Sequence, residues 1–584
     1  MAFLGVEESL CGRRWVGPGL EAERAAAALA QGAGLPDALC RVLARQGVDG
    51  EALEGFLAPT LRDLLPDPRG LLDMEIAAER ICRAVTAGER IAVFADYDVD
   101  GGASAALLML WLRGVGREAT LYVPDRIEEG YGPNEAAMQH LAREHRLIVC
   151  VDCGTLSHAA IAAVNGAADV VVVDHHLGGE TLPPALAVVN PNRQDESGEL
   201  GHLCAAAVVF LLLVELRRQR RGMGAPEGPD LLGMLDLVAL ATVADVVPLV
   251  GVNRALVRQG LKVMARRERP GLVALADLAR LDSPPESHHL GFVFGPRINA
   301  GGRIGAADLG ARLLMAQQRD EAESLALRLD ALNRERRAIE DEVRRSALAQ
   351  AEARGLDAPL VWAAGEGWHP GVVGIVAARL KEATNRPAIV IGLDGGTGKG
   401  SGRSIPGVDL GAAIQRLAAE GLLLGGGGHR MAAGLTVARG QIEPAMARLG
   451  ELLARQGAGA ALPHDLALDG MLMPGAADTA LIREIERAGP FGAAAPAPRF
   501  AFPDLMVHHQ RRVGDAHLRL SLGDGLGARI EAIAFGVCDS RLGHALENHD
   551  GARFHVAGRL EINRWNGRER VQLRLEDAAP ANGA

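Results

Sequence analysis

Three short β-branched runs, at residues 90–95, 147–151 and 170–173, each stop at a cluster of acids or imidazoles. The first opens into Asp96-Tyr97-Asp98-Val99-Asp100-Gly101-Gly102, the second into Asp152-Cys153-Gly154, the third into Asp174-His175-His176. Each run is followed by a turn and an alanine-rich helical stretch, the pattern of βαβ units around a largely parallel sheet. In such a sheet the strands' carboxyl ends share one edge, and ligands bind there. Three strand ends thus deliver carboxylates and imidazoles to one place. Left alone, so many carboxylates repel one another and raise each other's pKa. A pair of divalent cations resolves the conflict. Carboxylates with imidazoles and no thiolate suit manganese or magnesium better than structural zinc. Two such ions about 3.5–4 Å apart, bridged by a carboxylate, are the usual apparatus for hydrolysing phosphate esters.

Each piece taken singly has a plainer reading. The D-x-D-x-D-G run resembles the start of a calcium loop, but that loop needs a glutamate at its twelfth position, where Leu107 stands. Cys150-x-x-Cys153 has the spacing of half a zinc site or a redox pair, yet no second cysteine pair completes it. The conjunction of acids, each at a strand end, is what makes the metal site specific.

The 584 residues are too many for one core and suggest three or four domains. Residues 1–75 read as a helical lead-in, 76–317 as the parallel-sheet domain, 318–355 as one charged connecting helix and 356–460 as a second α/β block. From 461 to 584, short strands separated by glycine-rich turns fit a small antiparallel barrel. No apolar run is long enough to span a bilayer, and residues 1–8 lack the plan of a secretory signal, so the expected location is cytoplasmic. The net charge of −11 argues weakly against a nucleic-acid protein, but a metal-binding acid cluster lowers the total while a basic groove elsewhere still binds phosphate. The only lysines are Lys262, Lys381 and Lys399, so phosphate contacts would fall mainly to guanidinium groups.

With its Asp174-His175-His176, the chain resembles the DHH phosphoesterase superfamily. The first motif of that superfamily is commonly H-x-x-x-D-x-D. Here Phe94 stands at the histidine position and Asp96 is an added acid, a departure shared with the RecJ family. The resemblance to that family covers nearly the whole chain. It includes Pro124-Asp125-Arg126, Glu129-Gly130-Tyr131-Gly132 and Gly295-Pro296-Arg297-Ile298-Asn299-Ala300-Gly301-Gly302-Arg303. Gly400-Ser401-Gly402-Arg403-Ser404 and Gly427-Gly428-His429-Arg430 resemble the DHH-associated domain, and the last segment resembles an oligonucleotide-binding barrel. Matched by motif, Asp98, Asp100, Asp152 and His175 are metal ligands, with Asp152 the bridge and the role of Asp96 open. His176 lies near the scissile phosphate. Asp245, in the run Thr242–Leu249, is a further ligand by resemblance only; on its own it reads equally well as a buried acid with an arginine partner.

The resemblance implies a metal-dependent 5′→3′ exonuclease that degrades single-stranded DNA to mononucleotides in repair and recombination, using two Mn2+ or Mg2+ ions. Arg126, Ser401 and Arg403 would hold the 5′ phosphate, and Arg297 and Arg303 the backbone beside the metals. Tyr131 would stack on the end being cut. Against these stand structural roles: an ion pair for Arg303, packing for Tyr131, and ordering of the glycine loop for His429. The implied associates are single-strand-binding protein and a RecQ-type helicase, and the implied state is a monomer. Two rivals remain: a DHH enzyme acting on short oligonucleotides, cyclic dinucleotides or pyrophosphate, and a scaffold that binds DNA without cutting it.

Overall fold

In the computed structural model, residues 2–126, 128–459, 465–565 and 568–581 are described. The chain divides into two compact units. One comprises residues 67–245 and 260–461; the other comprises 1–66, 246–259 and 462–584.

The first unit contains the parallel sheet. Its strands are β1 (Ile91–Ala95), β2 (Thr120–Tyr122), β3 (Leu147–Val151), β4 (Asp169–Val173) and β5 (Ala187–Val189). All neighbours are parallel, in the order β2-β1-β3-β4-β5. Every residue of β1 and β3 is buried, as expected of strands covered on both faces. Side chains alternate between faces. Ala92, Phe94, Ile148, Cys150, Val170 and Val172 share a core with helical residues Met138, Leu141 and Ile161. The two edge strands, of three residues each, are too short to stand out in the sequence. The chain leaves β1 for β2 on one side and returns to β3 on the other, so the order reverses between β1 and β3. That reversal opens a crevice at the strands' carboxyl ends.

Within the same unit the helix Arg319–Arg354 is continuous over 36 residues, matching the expected connecting helix. It leads to a mixed sheet of β6 (Val361–Glu366), β7 (Ala388–Asp394), β8 (Thr397–Arg403), β9 (Gly425–His429) and β10 (Ala432–Ala438), ordered β9-β10-β8-β7-β6. Val343, Ala347 and Ala351 of the long helix pack with Val372, Val376 and Val390 on one side. Ile389, Ile391, Ile414, Leu435 and Leu449 make a second core.

The other unit is built on a closed five-stranded barrel. Its strands are Phe500–Val513, His517–Gly523, Arg529–Ala534, Arg553–Trp565 and Arg568–Pro580, and pairing of the first with the fourth closes it. One pairing departs from the expected antiparallel pattern. Arg529–Ala534 lies parallel to Arg568–Pro580, because the chain crosses over through the helix Arg541–Glu547 and the fourth strand before returning. That arrangement is the oligonucleotide-binding type of barrel. Phe500–Val513 was hidden in the sequence because Pro503 and a register shift between Phe502 and Leu505 break its alternation.

The lead-in is helical but not separate. Leu39, Val42 and Leu43 join Phe502, Leu520 and Val556 in the barrel's core. It also contributes a strand, Arg14–Val16, parallel to Asp465–Ala467. There the indole of Trp15, fully buried, donates to Asp577 Oδ2 at 3.0 Å. Short amphipathic helices have no core of their own, and the barrel supplies one.

Candidate metal centre

The crevice between β1 and β3 holds the acids that the strand-end pattern placed there. Asp98 caps the helix Val99–Gly114: its Oδ1 accepts from the amides of Asp100 at 2.9 Å and Gly101 at 3.1 Å. Gly101 is glycine because a Cβ there would stand 2.4 Å from the Asp96 carbonyl oxygen. Asp100 is held from the other side. Its two oxygens accept from the amides of Ala205 (2.7 Å) and Ala206 (2.8 Å), at the N-terminus of the helix Ala205–Gly222. Asp152 sits in a left-handed conformation, φ 59°, which turns the chain sharply out of β3. Asp245 follows the helix Leu235–Ala244, and Val246 after it has φ 60°, rare for a β-branched residue and typical of strain kept at functional sites.

His175 joins these elements. Its Nε2 lies 3.4 Å from Asp152, 3.6 Å from Asp100 and 3.7 Å from Asp245. Three donor sets, each with atoms within 4.8 Å of one another, can hold a cation: Asp96, Asp98 and Asp152; Asp100, His175 and Asp245; and Asp152, His175 and His176. Asp152 is common to the first and third, and His175 to the second and third. The residues fit divalent ions on a second ground. Asp96 Oδ1 and Asp152 Oδ1 are buried without a hydrogen-bond partner, a costly state unless something else binds them.

The electrostatics agree. Burial, then the charge of Asp98, pushes Asp96 up to about 8. Burial, then Asp100 and Asp98, does the same to Asp245. Burial and neighbouring acids also raise Asp100 and, further, Asp152. Asp245 has no arginine partner among the described residues. The acid of its helix that does is Asp236, 2.6 Å from Arg269.

Asp174 behaves differently. Burial works against its charge, but hydrogen bonds outweigh burial and hold it well below the usual carboxylate range. Oδ2 accepts from Thr155 N (3.1 Å) and Oγ1 (2.7 Å), and Oδ1 from the amide of His175 (2.8 Å) and from His176 Nδ1 (2.8 Å). It is an orienting group. Burial lowers the His176 pKa, yet the hydrogen bond and charge of Asp174 prevail and raise it to about 9. The other nitrogen of His176 lies 3.2 Å from Tyr131 Oη, and the rings meet edge to face.

A second cluster is cationic. Arg403 donates to Ser401 Oγ at 3.0 Å, and a Cβ at Gly374 would stand 3.1 Å from that oxygen and 3.3 Å from Arg403 Nη2. Arg126 lies over the Tyr97 ring, 5.2 Å from its centroid, and bonds its hydroxyl. Arg303 donates to the Gly371 carbonyl at 3.1 Å. Burial, then the charges of Arg303 and Arg126, lowers the pKa of Arg403. No carboxylate among the described residues pairs with any of the three.

Three family descriptions match: "DHH family, N-terminal domain" at residues 90–242, "DHHA1 domain" at 357–455 and "RecJ OB domain" at 468–577. The single-stranded-DNA-specific exonuclease RecJ of Escherichia coli is 38% identical over 94% of this chain and 96% of its own length; that of Salmonella typhimurium is 37% identical over the same shares. The chain belongs to the RecJ family. The crystal structure of RecJ in complex with Mn2+ from Thermus thermophilus matches 97% of this chain and 80% of its own, with TM-score 0.79 and 30% identity.

Not every residue expected from the RecJ motifs lies in these clusters. Arg297 is engaged with Asp330 at 2.9 Å and with the Val293 carbonyl at 2.8 Å. His429 ends β9 and is exposed. Sequence reasoning missed several orienting residues. Asn190 donates to Thr155 Oγ1 and to the His176 carbonyl, both at 2.8 Å, and Asn192 donates to the His175 carbonyl at 2.6 Å. The signal was available in Asn190-Pro191-Asn192, two asparagines flanking a proline directly after β5.

Proposed function

We propose that this chain is a metal-dependent 5′→3′ exonuclease of single-stranded DNA, releasing one 5′-mononucleotide per cut in repair and recombination. The observation that carries the reading is the pairing of two opposite clusters in one unit: an acid crevice fit for two cations, and an arginine triad with no acid partner among the described residues. Asp96, Asp98 and Asp152 would hold one ion, and Asp100, His175 and Asp245 the other. Bound there, Mn2+ or Mg2+ supplies Lewis acidity for phosphodiester hydrolysis.

The chain's own residues do the rest. Arg403, Arg126 and Ser401 take the terminal 5′ phosphate, whose charge relieves the repulsion among the guanidiniums. Arg303 and Arg297 hold the next phosphates. A blind pocket at the 5′ end fixes direction and step. His176, kept protonated by Asp174, presents an N–H toward the cleaved end and is placed to stabilise charge or pass a proton to the leaving oxygen. Tyr131 orients that ring and offers a face to the terminal nucleotide. Contacts to phosphate rather than to base edges make the activity indifferent to sequence. By the same resemblance, the chain would work as a monomer with single-strand-binding protein and a RecQ-type helicase.

The test is 5′-phosphorylated single-stranded DNA labelled at its 3′ end, beside the same strand in a blunt duplex, with manganese or magnesium. Stepwise shortening of the single strand, absent in Asp98→Ala, His175→Ala and chelator, supports the reading. Cleavage of di- or trinucleotides alone would make this a small-substrate phosphodiesterase, and binding without cleavage would make it a scaffold.

A further inference from the structure

One exposed aromatic stands on the turn that packs against the helices leading to Asp245 and Asp100. The π-turn Leu290–Phe294 buries Leu290 and Phe294 at 0% and 1% exposure, while Phe292 between them is 66% exposed. A lone exposed phenylalanine is ordinary; the mount of this one is not. Glu286 and His289 close a reciprocal cap that fixes the turn's start, and the His288 ring stacks on Phe292 with centroids 4.8 Å apart and planes 24° off parallel. Arg297 Nη1 binds the Val293 carbonyl at 2.8 Å, which sets a guanidinium against the same turn. Gly291 in the turn and Gly295 just after it lie against the helices next to the ligands. A Cβ at Gly291 would stand 3.5 Å from Val243 Cγ1; one at Gly295 would stand 3.5 Å from Ala244 Cβ and 4.0 Å from Val99 Cγ2. Val243 and Ala244 precede Asp245, and Val99 separates Asp98 from Asp100. π-Turns within helical segments concentrate at functional sites.

We infer that Phe292, backed by His288, is a stacking shelf for one unpaired base of the strand entering the metal crevice. The inference rests on the single-stranded-DNA reading above. Every base has a π-face, so such a shelf grips any sequence, and a base held in a duplex cannot lie on it. The shelf would add grip beyond the cut, through a base rather than a phosphate.

The experiment is an abasic scan. A 5′-phosphorylated single strand carries one abasic position, moved a nucleotide at a time from the 5′ end, and KM and kcat are measured for the wild type, Phe292→Ala and Phe292→Trp. The wild type should show one position, inside the strand, at which base loss raises KM about 5- to 100-fold, the effect of one base–aromatic stack. Phe292→Ala should raise KM similarly on the intact strand, and the abasic penalty at that position should vanish. Phe292→Trp should restore both. The exposed side chain can be removed without opening a cavity, and an unchanged melting temperature checks this. If Phe292→Ala keeps the wild-type KM, or the abasic profile is the same in both proteins, the shelf is wrong while the exonuclease reading stands. If the wild type shortens no single strand, the underlying reading fails instead.

Discussion

His176 Nδ1 donates to Asp174 Oδ1 at 2.8 Å, and this one contact sets the charge of the imidazole nearest the expected scissile bond. With Asp174 ionised, His176 keeps its proton through neutral pH and loses it as pH rises through about 9. In Asp174→Asn the hydrogen bond and charge that most oppose burial are gone and only the charges of Asp245 and Asp96 still oppose it, so the pKa falls. The alkaline limb of the kcat profile should therefore move to lower pH in Asp174→Asn. Activity at pH 8 should drop about 10- to 100-fold, more than at pH 6. A parallel fall at all pH values would show that Asp174 only holds the fold.

The acid crevice predicts a stability effect opposite in sign to its effect on activity. Asp96 and Asp245 are raised to about 8 in the metal-free protein, so the folded state binds more protons than the unfolded one between about 4 and 8. Their contribution to stability is present below the unfolded value and is lost as pH rises through about 8. Metal-free protein should thus melt at a lower temperature at pH 8.5 than at pH 6. Adding Mn2+ should raise the melting temperature, and by more at the higher pH, because cations must displace protons at the lower. Asp152→Asn removes one repelling charge, so it should melt at or above the wild type in chelator, gain less from Mn2+ and hydrolyse no DNA. Differential scanning calorimetry in chelator and in Mn2+, at both pH values, reads all three.

The arginine triad predicts a dependence on the 5′ end. A charge-assisted hydrogen bond contributes about 1.5–3 kcal/mol, so Arg403→Ala should weaken use of a 5′-phosphorylated strand by about 10- to 150-fold in kcat/KM. The same change should cost a 5′-hydroxyl strand much less, because that strand has no terminal phosphate to lose. Ser401→Ala should follow in the same direction with a smaller effect. Competition between the two strands in one reaction measures the ratio directly; an unchanged preference in Arg403→Ala would place the phosphate elsewhere.

What could be read from sequence followed from how each residue enters the site. Asp98, Asp100, Asp152 and His175 sit directly at the ends of β1, β3 and β4, and the short β-branched runs make those strands visible. Asp245 comes from a helix that is apolar all round, so no periodicity marks it, and only folding brings it 3.7 Å from His175. Arg126 and Arg403 are 277 positions apart in the chain, and local pattern cannot join them; their likeness to family motifs did. Asn190 and Asn192 hold the His176 and His175 carbonyls, and the only mark of this in the sequence is a pair of asparagines after an edge strand too short to stand out. The barrel's first strand was masked by Pro503, and its one parallel pairing is a property of connection rather than of residue type.

Gly101 gives the sharpest test of the crevice's geometry. Its missing side chain leaves room for the Asp96 carbonyl, which a Cβ would approach to 2.4 Å, closer than real Cβ contacts allow. The neighbour is backbone, so no rotamer change relieves the clash. In Gly101→Ala either the loop 96–98 or the start of the helix Val99–Gly114 must move. Asp98 Oδ1 accepts from the Gly101 amide itself, so its carboxylate moves with whichever yields. Alanine favours helix over glycine by about 1 kcal/mol, so propensity alone predicts a more stable protein. The clash should reverse that sign. We expect Gly101→Ala to melt lower than the wild type, to need more Mn2+ for half-maximal activity by about tenfold or more, and to keep its DNA affinity in chelator. Manganese titrations of activity beside chelator binding curves separate these effects. Wild-type metal dependence in this variant would show that the crevice tolerates displacement of Asp98, contrary to the tight packing of the Asp96 carbonyl against Gly101.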